Sequence, residues 1–196
     1  VVVNKPMNSD NPKIIDYANL NLRSDFMDVY LGAKCSFCLS TGFGFSDVCY
    51  IFRRPIVEMA LPVGNLETHS EKFLLLTKHH ILKKEKRRLS LSEIFSHGLA
   101  YNHDTKIFEQ KGIELVENTQ EEIKDLAVEM VENLESKKKL SPEDEELQKT
   151  FRSLFALNVT RFISHEKVSK FHRECLGEVK FRHSTKFLRE NKNWLR

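Results

Sequence analysis

KCSFCLSTGFGFSDVCYIFRRPIVEMAL, residues 34–61, is the stretch that predicts how this chain folds. Its first seven residues, 34–40, predict a strand, FSDVCYIF (45–52) predicts a short helix, and IVEMAL (56–61) predicts a second strand. A strand, a helix and a strand in such quick succession form a right-handed crossover between parallel neighbours. The stretch therefore indicates a parallel sheet.

The residues before this stretch extend the same alternation. KIIDYA (13–18) predicts a strand, and Ser24 is placed as the N-cap of a helix whose first turn holds Asp25 and Asp28. We therefore expect three parallel strands, 13–18, 34–40 and 56–61, with helices on both faces. This is an α/β class of fold, a Rossmann-like three-layer domain.

The later part of the chain becomes increasingly helical. Strands are predicted at 72–77 and 113–117, and capped helices begin at TQEE (119–122) and SPED (141–144). We expect residues 1–118 to form a Rossmann-like domain. Residues 119–196 are expected to form a helical C-terminal extension that packs on the same domain.

Composition indicates the cellular location of the protein and the redox state of its cysteines. Its 196 residues are 40% hydrophobic and 30% charged, and they contain neither an apolar run long enough to span a membrane nor a leader segment. These features predict a cytoplasmic protein without a membrane span. Four cysteines without framework spacing predict reduced thiols.

Charge is distributed unevenly along the chain. Residues 117–148 hold eleven acidic residues against four lysines, whereas residues 161–196 hold ten Lys or Arg against four Glu. Such asymmetry is consistent with nucleic acid or another anionic partner, or with two solvated helix faces of opposite sign. We favour the second interpretation, because the basic tail lacks interleaved aromatic residues and any known nucleic-acid motif. A nucleic-acid partner is therefore not expected.

The CxxC in this stretch does not have the features of a metal or redox site. If 34–40 is a strand, Cys35 and Cys38 point to opposite faces and cannot chelate one ion. No second CxxC or paired histidine completes a ligand set, and a redox CxxC belongs at a helix start. We expect reduced, metal-free cysteines that pack as small hydrophobes.

The turn after these cysteines has the composition of an anion-binding loop. Gly42 and Gly44 lie between a strand and a helix, with the hydroxyls of Ser40, Thr41 and Ser46 beside them. The chain has no P-loop lysine here, and Asp47 replaces the third glycine of G-x-G-x-x-G, which excludes a Walker ATPase and a nicotinamide dehydrogenase. A purely structural turn is an equally good interpretation of these residues alone.

Topology favours a ligand at this turn. In an open α/β sheet, ligands bind outside the carboxyl ends of the strands, where we expect the connections 19–24, 40–45 and 61–66 to converge. They bring Arg23 and Asn65 to the loop and define a pocket for a nucleotide diphosphate, although Arg23 is equally suited to a surface salt bridge. The predicted binding residues are Arg23, Ser24, Ser40, Thr41, Gly42, Phe43, Gly44, Phe45 and Asn65.

Several quoted stretches, in order, resemble one family. These are IIDYANLNLRSDFMDVYLGAKCSFCLSTGFGF (14–45), YIFRRPIV (50–57), ILKKEKRRLSLSEIF (81–95), GIELVENTQEEI (112–123) and FLRENKNWL (187–195). Together they resemble a group of bacterial glycosyltransferases, specifically the C-terminal, nucleotide-sugar-binding half of two-domain GT-B enzymes. The resemblance covers nearly the whole chain. It departs at Phe43, where a small residue is expected, and at Cys49 and Glu58, where apolar residues or proline are expected.

The resemblance implies a function and a missing part. It implies a nucleotide-diphosphate sugar as donor substrate, no other cofactor, and an N-terminal acceptor domain that this chain lacks. The chain alone is then expected to be inactive, and none of its histidines is assigned as a catalytic residue. In a GT-B enzyme the last helix reaches toward the N-terminal domain, so Phe187 and Trp194 are expected to form an exposed patch or a homodimer contact. The alternative is a non-catalytic Rossmann-like module that binds a nucleotide or a protein.

Overall fold

A computed structural model gives the fold of most of the chain. It describes residues 6–7, 9–42, 44–60, 63, 70–102, 104–136, 139–165 and 180–196, with the backbone alone at residues 60, 136 and 159–165. The strands are β1 Cys38–Ser40, β2 Ile56–Ala60, β3 Phe73–Thr77, β4 His79–Leu82, β5 Arg87–Arg88, β6 Ile113–Val116 and β7 Arg182–His183. The helices are α1 Asp25–Lys34, α2 Phe45–Ile51, α3 Leu91–Ser96, α4 Thr105–Gln110, α5 Gln120–Ser136, α6 Pro142–His165 and α7 Thr185–Glu190.

A parallel four-stranded sheet is the centre of the fold. Its strands lie in the order β1-β2-β3-β7, and every neighbouring pair is parallel. The β1-α2-β2 crossover is the unit that residues 34–61 predict. The predicted α/β class with a parallel sheet is confirmed, and the arrangement is Rossmann-like.

The predicted strand over residues 13–18 is wrong. This segment lies at the surface, and Tyr17–Asn19 form a 3-10 turn. Side chains satisfy the local backbone here: the Asn11 side chain accepts from the Lys13 amide at 3.0 Å, and Asp16 accepts from the Met7 amide at 2.8 Å. Such local bonds compete with strand pairing. The sheet instead gains β3 and β7.

A second, antiparallel sheet follows the first in the chain. Its order is β5-β4-β6, and β4 is antiparallel to both neighbours. The strand predicted at 113–117 is confirmed as β6, but it belongs to this second sheet rather than to the parallel one. Helix α3 follows this sheet and begins with a capping box. The Ser90 side chain accepts a hydrogen bond from the Glu93 amide, and the Glu93 side chain accepts one from the Ser90 amide.

The C-terminal segment completes the parallel sheet and its core. Strand β7 pairs with β3, and an aromatic cluster of Phe151, Phe155, Phe181 and Trp194 packs beside it. Phe187 and Trp194 are each only 4% exposed, so the predicted exposed patch on the last helix is wrong. The expected homodimer contact through these two side chains loses its basis. Among the described residues, no helix is both long and apolar enough to cross a membrane.

Candidate functional site

The loop after β1 has an exposed polar surface at the carboxyl edge of the parallel sheet. Thr41, Gly42, Gly44 and Phe45 are all exposed at this edge. Gly42 has φ +86° and Gly44 has φ +33°, backbone conformations that residues with a Cβ rarely adopt. The Ser40 hydroxyl accepts a hydrogen bond from the Gly42 amide at 3.1 Å. The two glycines therefore suit backbone positions that other residues rarely adopt, and Thr41 beside them is exposed.

Glu58 lies directly beneath this loop. It is the β2 partner of Ser40 in the sheet register, and a Cβ added to Gly42 would lie 2.6 Å from Glu58 Oε1. Burial, followed by the nearby Asp47 carboxylate, raises the pKa of Glu58. Sequence reasoning noticed Glu58 only as a departure from a family pattern. The register of β1 against β2 is the signal that places it at the site.

Arg23 and Ser24 form a separate cluster at the start of α1. Arg23 Nε lies 3.3 Å from Asp28 Oδ2, and the Tyr17 hydroxyl donates to Asp28 Oδ1 at 2.8 Å. Ser24 is the N-cap of α1, and its side chain accepts from the Met27 amide. Arg23 is thus oriented by a surface salt bridge, with its side chain 49% exposed.

Chain direction brings this cluster to the same edge as the loop. Short connections join α1 to the start of β1 and the end of β1 to α2, so both helices run opposite to β1. Gly32 of α1 contacts Val48 of α2, which places the helices side by side. Among the described residues, no hydrogen bond joins Arg23 to residues 40–45. Two further predicted site residues, Phe43 and Asn65, lie outside the described residues.

Three cysteine thiols meet behind the loop. Cys35 caps the end of α1 rather than lying in a strand, so its predicted position on the opposite face of β1 from Cys38 is wrong. Its Sγ lies 4.0 Å from that of Cys49, which also hydrogen-bonds the Cys38 thiol. Burial raises the pKa of all three thiols, to about 11 for Cys49. All three are free cysteines, and the described residues contain no group of side chains suited to a metal ion.

The other half of the carboxyl edge is acidic. A cavity of about 190 Å³ opens where β3 and β7 end, between α5 and α7. Its charged lining consists of Glu121, Glu122, Asp125, Lys186 and Glu190.

Histidines lie behind this acidic half without forming an evident catalytic site. His79 Nε2 lies 2.9 Å from Glu122 Oε1. The His79 ring stacks on Phe187, and the His183 ring is tilted against the same side chain. Burial lowers the pKa of His183 to about 3 and that of His80 to about 4, so both are neutral at pH 7. The buried positions of these rings are typical of packing residues.

No protein family, no curated protein and no solved structure matches this chain. The class of protein is therefore defined by the fold and by the residues at its carboxyl edge. The fold is α/β and Rossmann-like, with a glycine-containing loop, a half-buried carboxyl group and an exposed arginine at the edge where such sheets bind ligands.

Proposed function

We propose that this chain is the donor-binding part of a glycosyltransferase and binds a nucleotide-diphosphate sugar at the carboxyl edge of its parallel sheet. The observation that carries the proposal is the turn at the carboxyl end of β1, where Thr41, Gly42 and Gly44 are exposed and both glycines have positive φ. Loops in this position hold phosphorylated ligands in open α/β sheets. The sequence resemblance to the C-terminal half of GT-B enzymes supports the same function.

The diphosphate of the donor has matching groups at this edge. The exposed guanidinium of Arg23 suits the diphosphate, since arginine forms paired charged hydrogen bonds with phosphate oxygens. The Thr41 hydroxyl is accessible for a further bond, and Arg23 would stabilise the charge that develops on the leaving diphosphate. Charged hydrogen bonds contribute roughly 1.5–3 kcal/mol each. A binding site this open is expected to give dissociation constants from about millimolar to high micromolar.

In this proposal, catalysis requires a second domain that binds the acceptor and supplies the base. Among the described residues of the loop, none is a candidate base for an acceptor hydroxyl, and the described titratable groups beside it are Glu58 beneath the loop and Asp47 in the first turn of α2. The acceptor and the base are assigned to an N-terminal domain, as in two-domain enzymes of this type. The isolated chain is expected to bind nucleotide sugars without turning them over.

A titration with nucleoside diphosphates and their sugar conjugates tests the donor site. The double variant Arg23→Ala, Gly44→Val removes the guanidinium and strains the loop. Its matched control is Arg87→Ala, Gly98→Val, because Arg87 is an exposed, ion-paired arginine and Gly98 has φ +68° with open space around it. We expect calorimetry to show at least tenfold weaker binding in the first variant only. Equal binding by wild type and both variants would refute the site.

A non-catalytic module is the second candidate. Glu58 and Asp47 favour it, because two carboxyl groups beside the loop oppose the negative charge of a diphosphate. The same titration distinguishes the candidates. A transferase donor site prefers a sugar nucleotide over the free diphosphate, whereas a simple nucleotide- or protein-binding module shows no such preference.

A further inference from the structure

We propose that the amino edge of the parallel sheet is a docking surface for anionic lipid bilayers. This edge lies opposite the loop of the proposed donor site, and the inference does not depend on that function. It rests on an exposed apolar segment, a continuous set of cations beside it, and the charge difference between the two edges of the sheet.

Three consecutive large apolar residues are exposed where α2 ends. Tyr50 is 47% exposed, Ile51 72% and Phe52 46%. An uninterrupted exposed run of this kind is unusual on the surface of a globular domain, where single exposed apolar residues are the norm. Aromatic and aliphatic side chains that project together can enter the boundary between headgroups and acyl chains.

Cations surround this apolar segment. A groove of about 510 Å³ is lined by Tyr50 and Ile51 together with Arg53, Arg54 and Lys72. Arg54 is anchored, since its Nε donates to the Ala33 carbonyl at 2.6 Å. Within the described part of the chain, the side chains of Arg53 and Lys72 form no ion pair. Their charges are therefore available to an external anion.

The backbone at Arg53 also has an uncommon conformation. Its φ of 55° lies in the left-handed region, which non-glycine residues seldom adopt. The turn directs the chain from the exposed apolar residues into Pro55 and β2. Backbone strain is often retained at functional positions, and here it accompanies two adjacent arginines.

Sheet topology extends the basic surface beyond this groove. Strands β2, β3 and β7 are parallel neighbours, so their amino ends share one edge. A second groove at that edge, of about 480 Å³, is lined by Glu71, Arg152, Lys180 and Arg182. The two grooves adjoin through the consecutive residues Glu71 and Lys72. Together they hold six Lys or Arg side chains and one carboxylate.

The opposite edge carries the opposite charge. The cavity at the ends of β3 and β7 is lined by four acidic residues and one lysine. An anionic bilayer attracts the first edge and repels the second, so the charge pattern sets an orientation as well as an affinity. In that orientation the basic edge contacts the lipid and the loop at residues 40–44 faces away from it.

The apolar residues favour a bilayer over nucleic acid as the partner. Ile51 is the most exposed of the three and has no ring to stack on a base, whereas single-strand binders rely on aromatic platforms. A lipid interface accepts aliphatic and aromatic side chains together. The proposed partner is therefore a bilayer containing phosphatidylglycerol or a lipid of similar charge.

Vesicle co-sedimentation of the full 196-residue chain tests the proposal. Binding is compared between vesicles of phosphatidylcholine alone and vesicles with a large fraction of phosphatidylglycerol. We expect binding only to the second, with at least a tenfold loss in Arg53→Glu, Lys72→Glu and in Ile51→Ser, Phe52→Ser. One lost cation alone corresponds to about fivefold in partitioning.

Two matched controls separate this surface from general charge and hydrophobicity. Lys106→Glu, Lys111→Glu reverses two exposed lysines on and after α4, and Val128→Ser, Leu157→Ser removes two side chains that are each 47% exposed. Both controls are expected to bind vesicles within about twofold of wild type. Circular dichroism confirms that each variant is folded.

Three results would overturn the proposal. The first is equal vesicle binding by wild type and all four variants, and the second is the absence of vesicle binding by the wild type. The third is binding of a single-stranded RNA oligonucleotide that Arg53→Glu, Lys72→Glu abolishes while vesicles fail to bind, which would assign the surface to nucleic acid.

Discussion

At the scale of single residues, Gly42 shows how the carboxyl-edge loop depends on one backbone position. Its φ of +86° is strained for any residue with a Cβ, and the added atom would lie 2.6 Å from Glu58 Oε1. Gly98 has a similar φ of +68° but nothing within 4 Å of its hypothetical Cβ. Substitutions at the two glycines therefore differ in steric contact, while both introduce backbone strain.

Gly42→Ala is expected to destabilise the protein more than Gly98→Ala. Backbone strain alone costs about 1 kcal/mol at either position. The contact with Glu58 should add up to about 1 kcal/mol at Gly42, because the end of this side chain must leave its preferred conformation. Urea unfolding of both variants measures the difference. Adding Glu58→Ala to Gly42→Ala should recover the stability lost through the contact with Glu58. A double variant no more stable than Gly42→Ala would show that this contact does not cause the loss.

At the scale of secondary-structure elements, α7 is attached to α6 by one well-defined ion pair. Arg189 Nε and Nη2 each lie 2.5 Å from an oxygen of Asp144, whose side chain is only 2% exposed. Ser141 also donates to this carboxylate. The paired guanidinium of Arg189 lowers the pKa of Asp144 to about 2. The carboxylate is therefore ionised, buried and dependent on its partner.

Arg189→Ala is expected to destabilise the protein by about 3 kcal/mol, because it leaves a buried carboxylate without its cation. The double variant Arg189→Ala, Asp144→Asn should lose less than Arg189→Ala alone, because the uncompensated charge is gone. Chemical denaturation of the single and double variants gives both values at pH 7. A double variant that is less stable than Arg189→Ala would contradict this account.

The elements that sequence predicts here are those whose signals are local. The β1-α2-β2 unit follows from two apolar runs with a helical segment between them, and Ser24 and Ser90 begin helices as their side chains suggest. Strand β7 has two residues, too few for any periodicity, and exists because β3 offers it a partner. Residues 13–18 resemble a strand in composition, yet the amides of Lys13, Ile14 and Tyr17 bond to nearby side-chain or carbonyl oxygens in local turns.

The candidate site also combines features that the sequence predicts with features that depend on how distant elements pack. The glycines of the loop are visible in the sequence, because a turn between a strand and a helix favours them. The position of Glu58 beneath Gly42 depends on the register of β1 against β2, which no local pattern encodes. The grouping of Cys35 with Cys49 likewise depends on how α1 packs against α2.

At the scale of the whole molecule, buried histidines couple folding to pH. Burial lowers the pKa of His80 to about 4 and that of His183 to about 3, whereas a histidine in the unfolded chain has an ordinary pKa of 6.5. The unfolded chain then binds more protons than the folded chain once the pH falls below 6.5. Stability is therefore complete above that pH and decreases as the pH falls toward the folded values.

The histidine effect precedes that of the carboxylates on acidification. Arg87 and Arg189 lower the pKa values of Glu93 and Asp144 to about 2, so the stability that these carboxylates contribute begins to be lost only near their ordinary pKa values of 4.5 and 3.8. Between pH 6 and 5 the free energy of unfolding should thus fall with a slope of at most two protons, or about 2.7 kcal/mol per pH unit. Burial raises the pKa values of Glu58 and Glu129, so protons that these carboxylates bind in the folded chain reduce the slope. Urea denaturation at closely spaced pH values measures this slope. His80→Gln should reduce it by about one proton, whereas His97→Gln, at an exposed histidine, should leave it unchanged. A wild-type slope near zero in this window would mean that the two buried rings accept protons without unfolding the protein.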